Sequence, residues 1–435
     1  MKHRIKIAIA VLVLFGLVQV LRSKPTKLKC EYPGYFAELN AAIKNGHAGA
    51  SAGIIDLDRL DHNVDFARQQ LGSKYKLRLV AKSLPSLDLL KYLMEKGQTN
   101  KLMVFSEPFI SEILKTWNAD SLDILLGKPL PVDAVARLSA LKGWNSINWL
   151  VDTKERLNEY LAFAKKGNTP IKISLEIDIG LHRGGFETTA QFAEALEIIK
   201  ANAQYLQLTG LMGYDGHVPY VPFYINKEHA ISNAFEDAQQ SYSKFVDELK
   251  KHSDPAFVNT LTFNSGGSRT YFRYRDFKGT TPVNDVAMGS GFLCPAQFPE
   301  LEQLGHQPVL FLSSPVLKKI ASSELPFAEK ISPIVNWWNP NLKVSYYMLG
   351  GGWPGNEVAP TGLVRNPFLS ENDLGYSNLL PNQSLSCSSD ESNMQVGDFI
   401  FSQAWEGDGM LVFEKVLLYR KNKIVGEWET YKGGN

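Results

Sequence analysis

Eight apolar runs, most of them followed by polar, helix-spaced sequence, constrain this chain more than any other feature. They are "LRLVAK" (77–82), "KLMVFS" (101–106), "LDILLG" (122–127), "INWLVD" (147–152), "IKISLEIDI" (171–179), "LQLTGLMGY" (206–214), "TLTFNS" (260–265) and "NDVAMG" (284–289). Short, nearly continuous apolar segments of this kind suit strands buried on both faces. Between most of them apolar residues recur every three or four positions, as in "TTAQFAEALEIIKANA" at 188–203. Strand and helix alternating eight times predicts an α/β chain closed into a (β/α)8 TIM-type barrel rather than a sandwich.

Beyond Cys294 the texture changes. "HQPVLFLSSPVLKKI", "KVSYYML", "GDFIFSQAWEG" and "MLVFEKVLLYRKNKIVGEWETYKG" are strand-like runs cut by turns, with no long helical pattern between them. They predict a C-terminal β domain over 299–435 following a barrel over 25–298. The serine-rich stretch at 382–393 reads as a solvated loop.

The N-terminus differs in kind. A basic start precedes fifteen residues, Ile7 to Leu21, interrupted only by Gly16 and Gln19. That pattern predicts a signal peptide or membrane anchor within 1–24, and an exported or membrane-anchored protein, periplasmic in a Gram-negative cell. A helix of fifteen residues is about 22 Å long, short of a ~30 Å hydrocarbon core, yet no small-x-small cleavage site follows the run. Cleaved and uncleaved forms both stay open. Charge favours small-molecule chemistry over nucleic acid, with 46 basic residues against 45 acidic;. Three cysteines permit one disulfide at most and show no zinc spacing, and Cys30 reads as an unpaired surface thiol;.

In such a barrel, chemistry sits at the C-terminal ends of the strands, and phosphate is held by the loops after strands seven and eight. "NSGGSRT" (264–270) and "MGSGF" (288–292) occupy those places and supply Gly266, Gly267, Ser268, Gly289, Ser290 and Gly291. Glycine lets backbone amides approach an anion closely, and serine adds donors. Lys82 ends the first run. An amine facing a phosphate cradle across a barrel mouth is what a pyridoxal phosphate enzyme needs, although a strand-end lysine also simply reaches solvent. In the fifth run Glu176 and Asp178 alternate with apolar residues and are expected to point into the barrel, with His182 and Arg183 just beyond;. The sixth ends in Tyr214, Asp215 and His217, where tyrosine can pack on a flat ring and histidine can act as acid or base;.

The segments "RLVAKSLPS", "EIDIGLHRGG", "LTGLMGYDGHV", "NSGGS" and "VAMGSG" together resemble the alanine racemase-type (fold type III) pyridoxal phosphate enzymes. Their wording is nearest the D-threonine aldolase and D-serine dehydratase-like branch. The resemblance covers about residues 50–295. It implies that Lys82 is the Schiff-base lysine, that Arg183 and Tyr214 stand beside the cofactor ring, and that Gly267, Ser268, Gly289 and Ser290 contact the phosphate. It further implies a homodimer.

The activity so implied is that of a lyase on a β-hydroxy D-amino acid, with a pyridoxal phosphate-dependent racemase or a non-catalytic pyridoxal phosphate-binding protein as rival readings. That branch also holds a divalent metal through a His-x-Cys or His-x-Asp pair. Here Glu406 and Asp408 stand at the matching segment, with no histidine nearby. Two carboxylates suit Mg²⁺ or Mn²⁺ better than Zn²⁺, and they also read as solvated turn residues.

Overall fold

The computed structural model describes residues 22–46, 49–366, 383–431 and 433. The predicted signal or anchor segment lies outside them, apart from its last residues. Among the described residues no helix is long and apolar enough to cross a membrane.

The eight runs form eight parallel strands: β1 (Lys76–Val80), β2 (Lys101–Val104), β3 (Asp123–Leu126), β4 (Ile147–Val151), β5 (Ile171–Glu176), β6 (Leu206–Met212), β7 (Thr262–Ser265) and β8 (Asp285–Met288). They close into a barrel, β1 returning to β8 with Lys76 opposite Asp285. Each strand is buried along most of its length, which is why the runs are continuously apolar rather than alternating;. Outer helices include α1 (Leu87–Gly97), α2 (Lys154–Gly167), α3 (Thr189–Ala201) and α4 (Lys227–His252). Their starts are written locally. The side chains of Ser86, Thr153 and Asn226 each accept from the third residue's amide, and Thr188 with Gln191 makes a capping box;.

At the end of the barrel away from the strand C-termini, Arg78 is 1% exposed. Its Nε donates to Asp285 Oδ1 at 2.7 Å and its Nη1 to Asp123 Oδ1 at 3.1 Å. Burial opposes the charge, but these two carboxylates outweigh it and hold the Arg78 pKa above its ordinary value. Burial likewise works against Asp123, yet Arg78 and Lys101 bring it down to about 2;.

The chain divides into two compact units along discontinuous lines. Of the described residues, 55–310, 405–418, 426–431 and 433 make the barrel unit, whereas 22–46, 49–54, 311–366, 383–404 and 419–425 make the second. The sequence reading drew one boundary at 298/299. The structure instead assigns residues 25–46 and 49–54 to the sheet unit and the segment 405–418 to the barrel unit. In the sheet unit, β9 (Leu310–Ile320), β10 (Val344–Leu349), β11 (Gly355–Ala359), β12 (Gln383–Ser388) and β13 (Phe399–Ala404) are antiparallel in the order β11–β13–β9–β10–β12.

Strand β12 corrects the expectation of a solvated loop, because five of its six residues are buried. Two of its three serines are tolerated inside because they find partners, Ser386 Oγ donating to Glu357 and Ser388 Oγ to Tyr346, whereas Ser384 Oγ is buried without one;. Cys30 is also corrected. It is outside any disulfide, 1% exposed, packed with Val316, Tyr346, Met348 and Ile400, and the other two cysteines are likewise in no disulfide and buried.

Candidate active site

Strand β1 stops at Val80, and a 3₁₀ turn, Ala81–Ser83, lifts Lys82 over the barrel's C-terminal mouth. The Lys82 ammonium stands 4.9 Å from the centroid of the Phe105 ring. Gly127 makes room for that ring, since a β-carbon there would lie 2.1 Å from Phe105 Cζ. Burial, and then the charge of Arg183, push the Lys82 pKa below its ordinary value, while Glu406 and Asp408 oppose the shift;. The amine is thereby brought closer to its nucleophilic, uncharged form.

The cavity it faces measures about 440 Å³ and includes Gly266, Gly267, Ser268, Gly289 and Ser290 in its wall. The two glycine turns are tied together. Ser268 Oγ accepts from the amides of Gly289 at 3.3 Å and Gly291 at 2.9 Å. Gly266 has φ +84° and comes so close to β8 that a β-carbon would meet Val286 Cγ1 at 2.8 Å;. Gly291 supports the cradle through its amide without lining the cavity.

Arg183 and Tyr214 form another part of the wall, the guanidinium carbon 5.1 Å from the ring centroid;. Tyr214 is raised above its ordinary pKa by desolvation and then by the neighbouring Asp215. Asp215 is fully buried beneath it, accepting from Thr270 Oγ1 and Tyr274 OH at 2.8 Å each. Burial pushes Asp215 up to about 6.

Glu176 and Asp178, expected to share a direction, part company. Glu176 ends β5 and is buried, and this raises it to about 7 against the pull of Arg183. Asp178 lies beyond the strand and organises the loop, accepting from the amides of Gly180 and His182 and pairing with His182 Nδ1 at 2.7 Å. Neither belongs to the cavity wall, and nor does His217. The His217 ring packs toward Gly180, its Nδ1 buried without a hydrogen-bond partner, and burial lowers its pKa.

Two further groups complete the wall. Glu406 and Asp408, at the start of the 3₁₀ turn Gly407–Val412, reach the same cavity as Lys82. Glu406 Oε2 accepts from Ser290 Oγ at 2.7 Å, and burial raises its pKa. Sequence reasoning missed Arg269, which lines the cavity with its guanidinium 4.7 Å from the Tyr220 ring and 5.3 Å from that of Phe298, paired with Glu300. Its place directly after the glycine turn was the available signal.

Residues 55–290 match the family described as "Alanine racemase, N-terminal domain". A curated relative, 3-hydroxy-D-aspartate aldolase of Paracoccus denitrificans (strain Pd 1222), is 24% identical over 253 residues, which is 54% of this chain and only 58% of that relative's length. Among solved structures, D-threo-3-hydroxyaspartate dehydratase from Delftia sp. HT23 matches with a TM-score of 0.65 at 13% identity, covering 88% of this chain and 98% of its own. D-threonine aldolase from Filomicrobium marinum gives 0.64 at 15%, covering 88% and 94%. Alanine racemase from Bacillus anthracis gives 0.64 at 15%, covering 87% and 97%. This match spans more than half of the chain and places it in the alanine racemase N-terminal domain family.

Proposed function

We propose that this protein is a pyridoxal phosphate-dependent lyase acting on a β-hydroxy D-amino acid. The observation that carries the reading is Lys82, its pKa lowered by burial, facing two serine-bridged glycine turns across one cavity. The names of the relatives, two aldolases and a dehydratase of hydroxy-D-amino acids, support the same class.

The donor set fits the cofactor. Amides and hydroxyls of residues 266–268 and 289–290 would hold a phosphate, Lys82 its aldehyde carbon, and the Arg183–Tyr214 pair its ring;. When bound, the cofactor supplies an electron sink for negative charge at the substrate α-carbon. Lys82 Nζ then holds or moves the proton at that carbon. Arg269, kept in place by Tyr220, Phe298 and Glu300, binds the substrate carboxylate;.

Glu406 and Asp408 do not fit a zinc-type centre. They are two hard oxygen donors, one already accepting from Ser290, and among the described residues no group of three His, Cys, Asp or Glu side chains is placed to hold an ion;. No step is therefore assigned to a metal. Raised in pKa, the Glu406 carboxyl instead moves the proton at the substrate's β-oxygen;. A homodimer is part of this proposal, resting on the resemblance alone.

The test is product identification with cofactor-loaded enzyme and a panel of β-hydroxy D-amino acids. A keto acid with ammonia, or an aldehyde with glycine, supports the lyase. The mirror-image amino acid as the main product replaces it with a racemase.

A further inference from the structure

We infer that the face of the sheet unit formed by Phe327, Ile331, Ile334 and Trp337 rests on a lipid bilayer, at the level of the headgroups. These residues surround the short helix Ser332–Trp338 and are exposed by 94, 53, 61 and 57% respectively. The helix is turned inside out relative to one that faces water. Its inward side carries polar groups with partners: Ser332 Oγ accepts from the Leu325 amide at 2.7 Å and donates to Ala328 O, and Asn336 Nδ2 donates to Ser323 O at 2.9 Å. Val335 packs inward against Leu342, Leu385 and Cys387. The isoleucines and the tryptophan, spaced by three, are left outside. Such an inversion is held by specific hydrogen bonds rather than by loose packing, so the apolar side is presented by construction.

What covers it is indicated by the chain's own course. Residues 26–28 are fastened beside this helix, the Leu28 amide donating to Asn341 Oδ1 and Asn341 Nδ2 donating to Thr26 O, each at 2.8 Å. Lys24 Nζ stands 4.4 Å from the Trp337 ring. The apolar run Ile7–Leu21 ends three residues before that lysine. A segment that enters a bilayer there sets the membrane surface beside Trp337. Tryptophan with neighbouring lysine is the side-chain combination favoured at that depth. A fifteen-residue run is also short for spanning, about 22 Å as a helix, and an interfacial patch beside it adds the apolar contact the run lacks. Lys24 stands at the Trp337 ring, and the exposed Lys330 is flanked in sequence by the exposed acidic Glu324 and Glu329, so apolar contact rather than net charge carries the interaction.

The test uses the full chain with Ile334→Cys carrying an environment-sensitive fluorophore, and Lys166→Cys on the exposed surface of α2 as the control. The three native thiols are buried and do not compete for label. After incorporation into phosphatidylcholine/phosphatidylglycerol vesicles containing headgroup-nitroxide lipid, the label at 334 should shift to the blue and be quenched severalfold more than the label at 166. A second site, Trp337→Cys, should give the same result, and an unchanged circular dichroism spectrum shows that each variant folds. Equal quenching at 334 and 166 in vesicle-bound protein overturns the inference, as does failure of the full chain to bind vesicles. Blue-shifting without lipid that grows with protein concentration assigns the face to a second copy, and blue-shifting without lipid at every concentration assigns it to the chain's own first residues. Either result also overturns the inference.

Discussion

The backbone of Gly407 lies against the carbonyl of Ser83 so closely that a β-carbon on residue 407 would stand 2.0 Å from that oxygen. This contact places Glu406 and Asp408, which flank the glycine, above the turn that carries Lys82. Substituting Gly407→Ala forces the acidic turn away, because neither backbone can yield as a side chain would. Expected are a stability loss of about 1–3 kcal/mol and a lower Lys82 pKa, since both carboxylates now raise it. Thermal melting and the pH dependence of cofactor capture measure the two effects.

Lys82 should be the single point of covalent cofactor attachment. Borohydride reduction of the loaded enzyme followed by peptide mapping should label that residue alone. Lys82→Ala should abolish the visible absorption of bound cofactor and lower activity on the order of 10²–10⁴-fold. A label on any other lysine refutes the assignment.

Glu406→Gln should keep the cofactor's absorption band while lowering kcat, because the amide occupies the same space beside Ser290 but cannot move a proton;. KM should change little. Prolonged treatment with a chelator should leave the parent's activity within about twofold if proton transfer by Glu406, rather than a metal, acts at the β-oxygen. Loss of activity on chelation, restored by a divalent ion, overturns that role.

Glu176 sets a pH dependence of stability with a definite sign. Its carboxyl is raised from 4.5 to about 7 in the folded state by burial, so the native protein holds a proton that the unfolded chain has released. Its contribution is therefore present below pH 4.5 and is lost as pH rises through 7, by about 3 kcal/mol at most. Asp215, raised to about 6, acts in the same direction. Glu176→Gln should melt higher than the parent at pH 8, with the gap closing by pH 5. A gap that widens toward acid contradicts the assignment.

Arg78→Met should destabilise the barrel by about 3–5 kcal/mol, since it leaves the buried Asp285 and half-buried Asp123 without their main counter-charge;. Denaturant titration measures the loss. The candidate site lies at the opposite barrel end, so the fraction that remains folded should still take up pyridoxal phosphate.

The barrel was legible because its signals are local. Each strand announces itself within six to nine residues, the outer helices by apolar residues recurring every three or four positions, and the two glycine turns by their position after the last two strands. Lys82 could be picked out for the same reason, as a lone charge closing an apolar run. His217 shows the limit of such reasoning: its neighbour Tyr214 reaches the cavity, but the loop carries the imidazole toward Gly180 instead. The direction of a loop side chain depends on what packs around it.

The sequence by itself therefore determined the barrel's strand count, its order of elements and the lysine and glycine turns that share one cavity, since hydrophobic period and turn chemistry act between near neighbours. Only the tertiary structure decided which distant residues meet. It brought Glu406 to Ser290, 116 positions away, set Arg269 between Tyr220 and Phe298, drew residues 25–46 and 49–54 into the sheet unit and turned a serine-rich stretch into a buried strand. Such pairings are chosen by the packing and hydrogen-bond satisfaction of the whole fold, which leave no periodic trace along the chain.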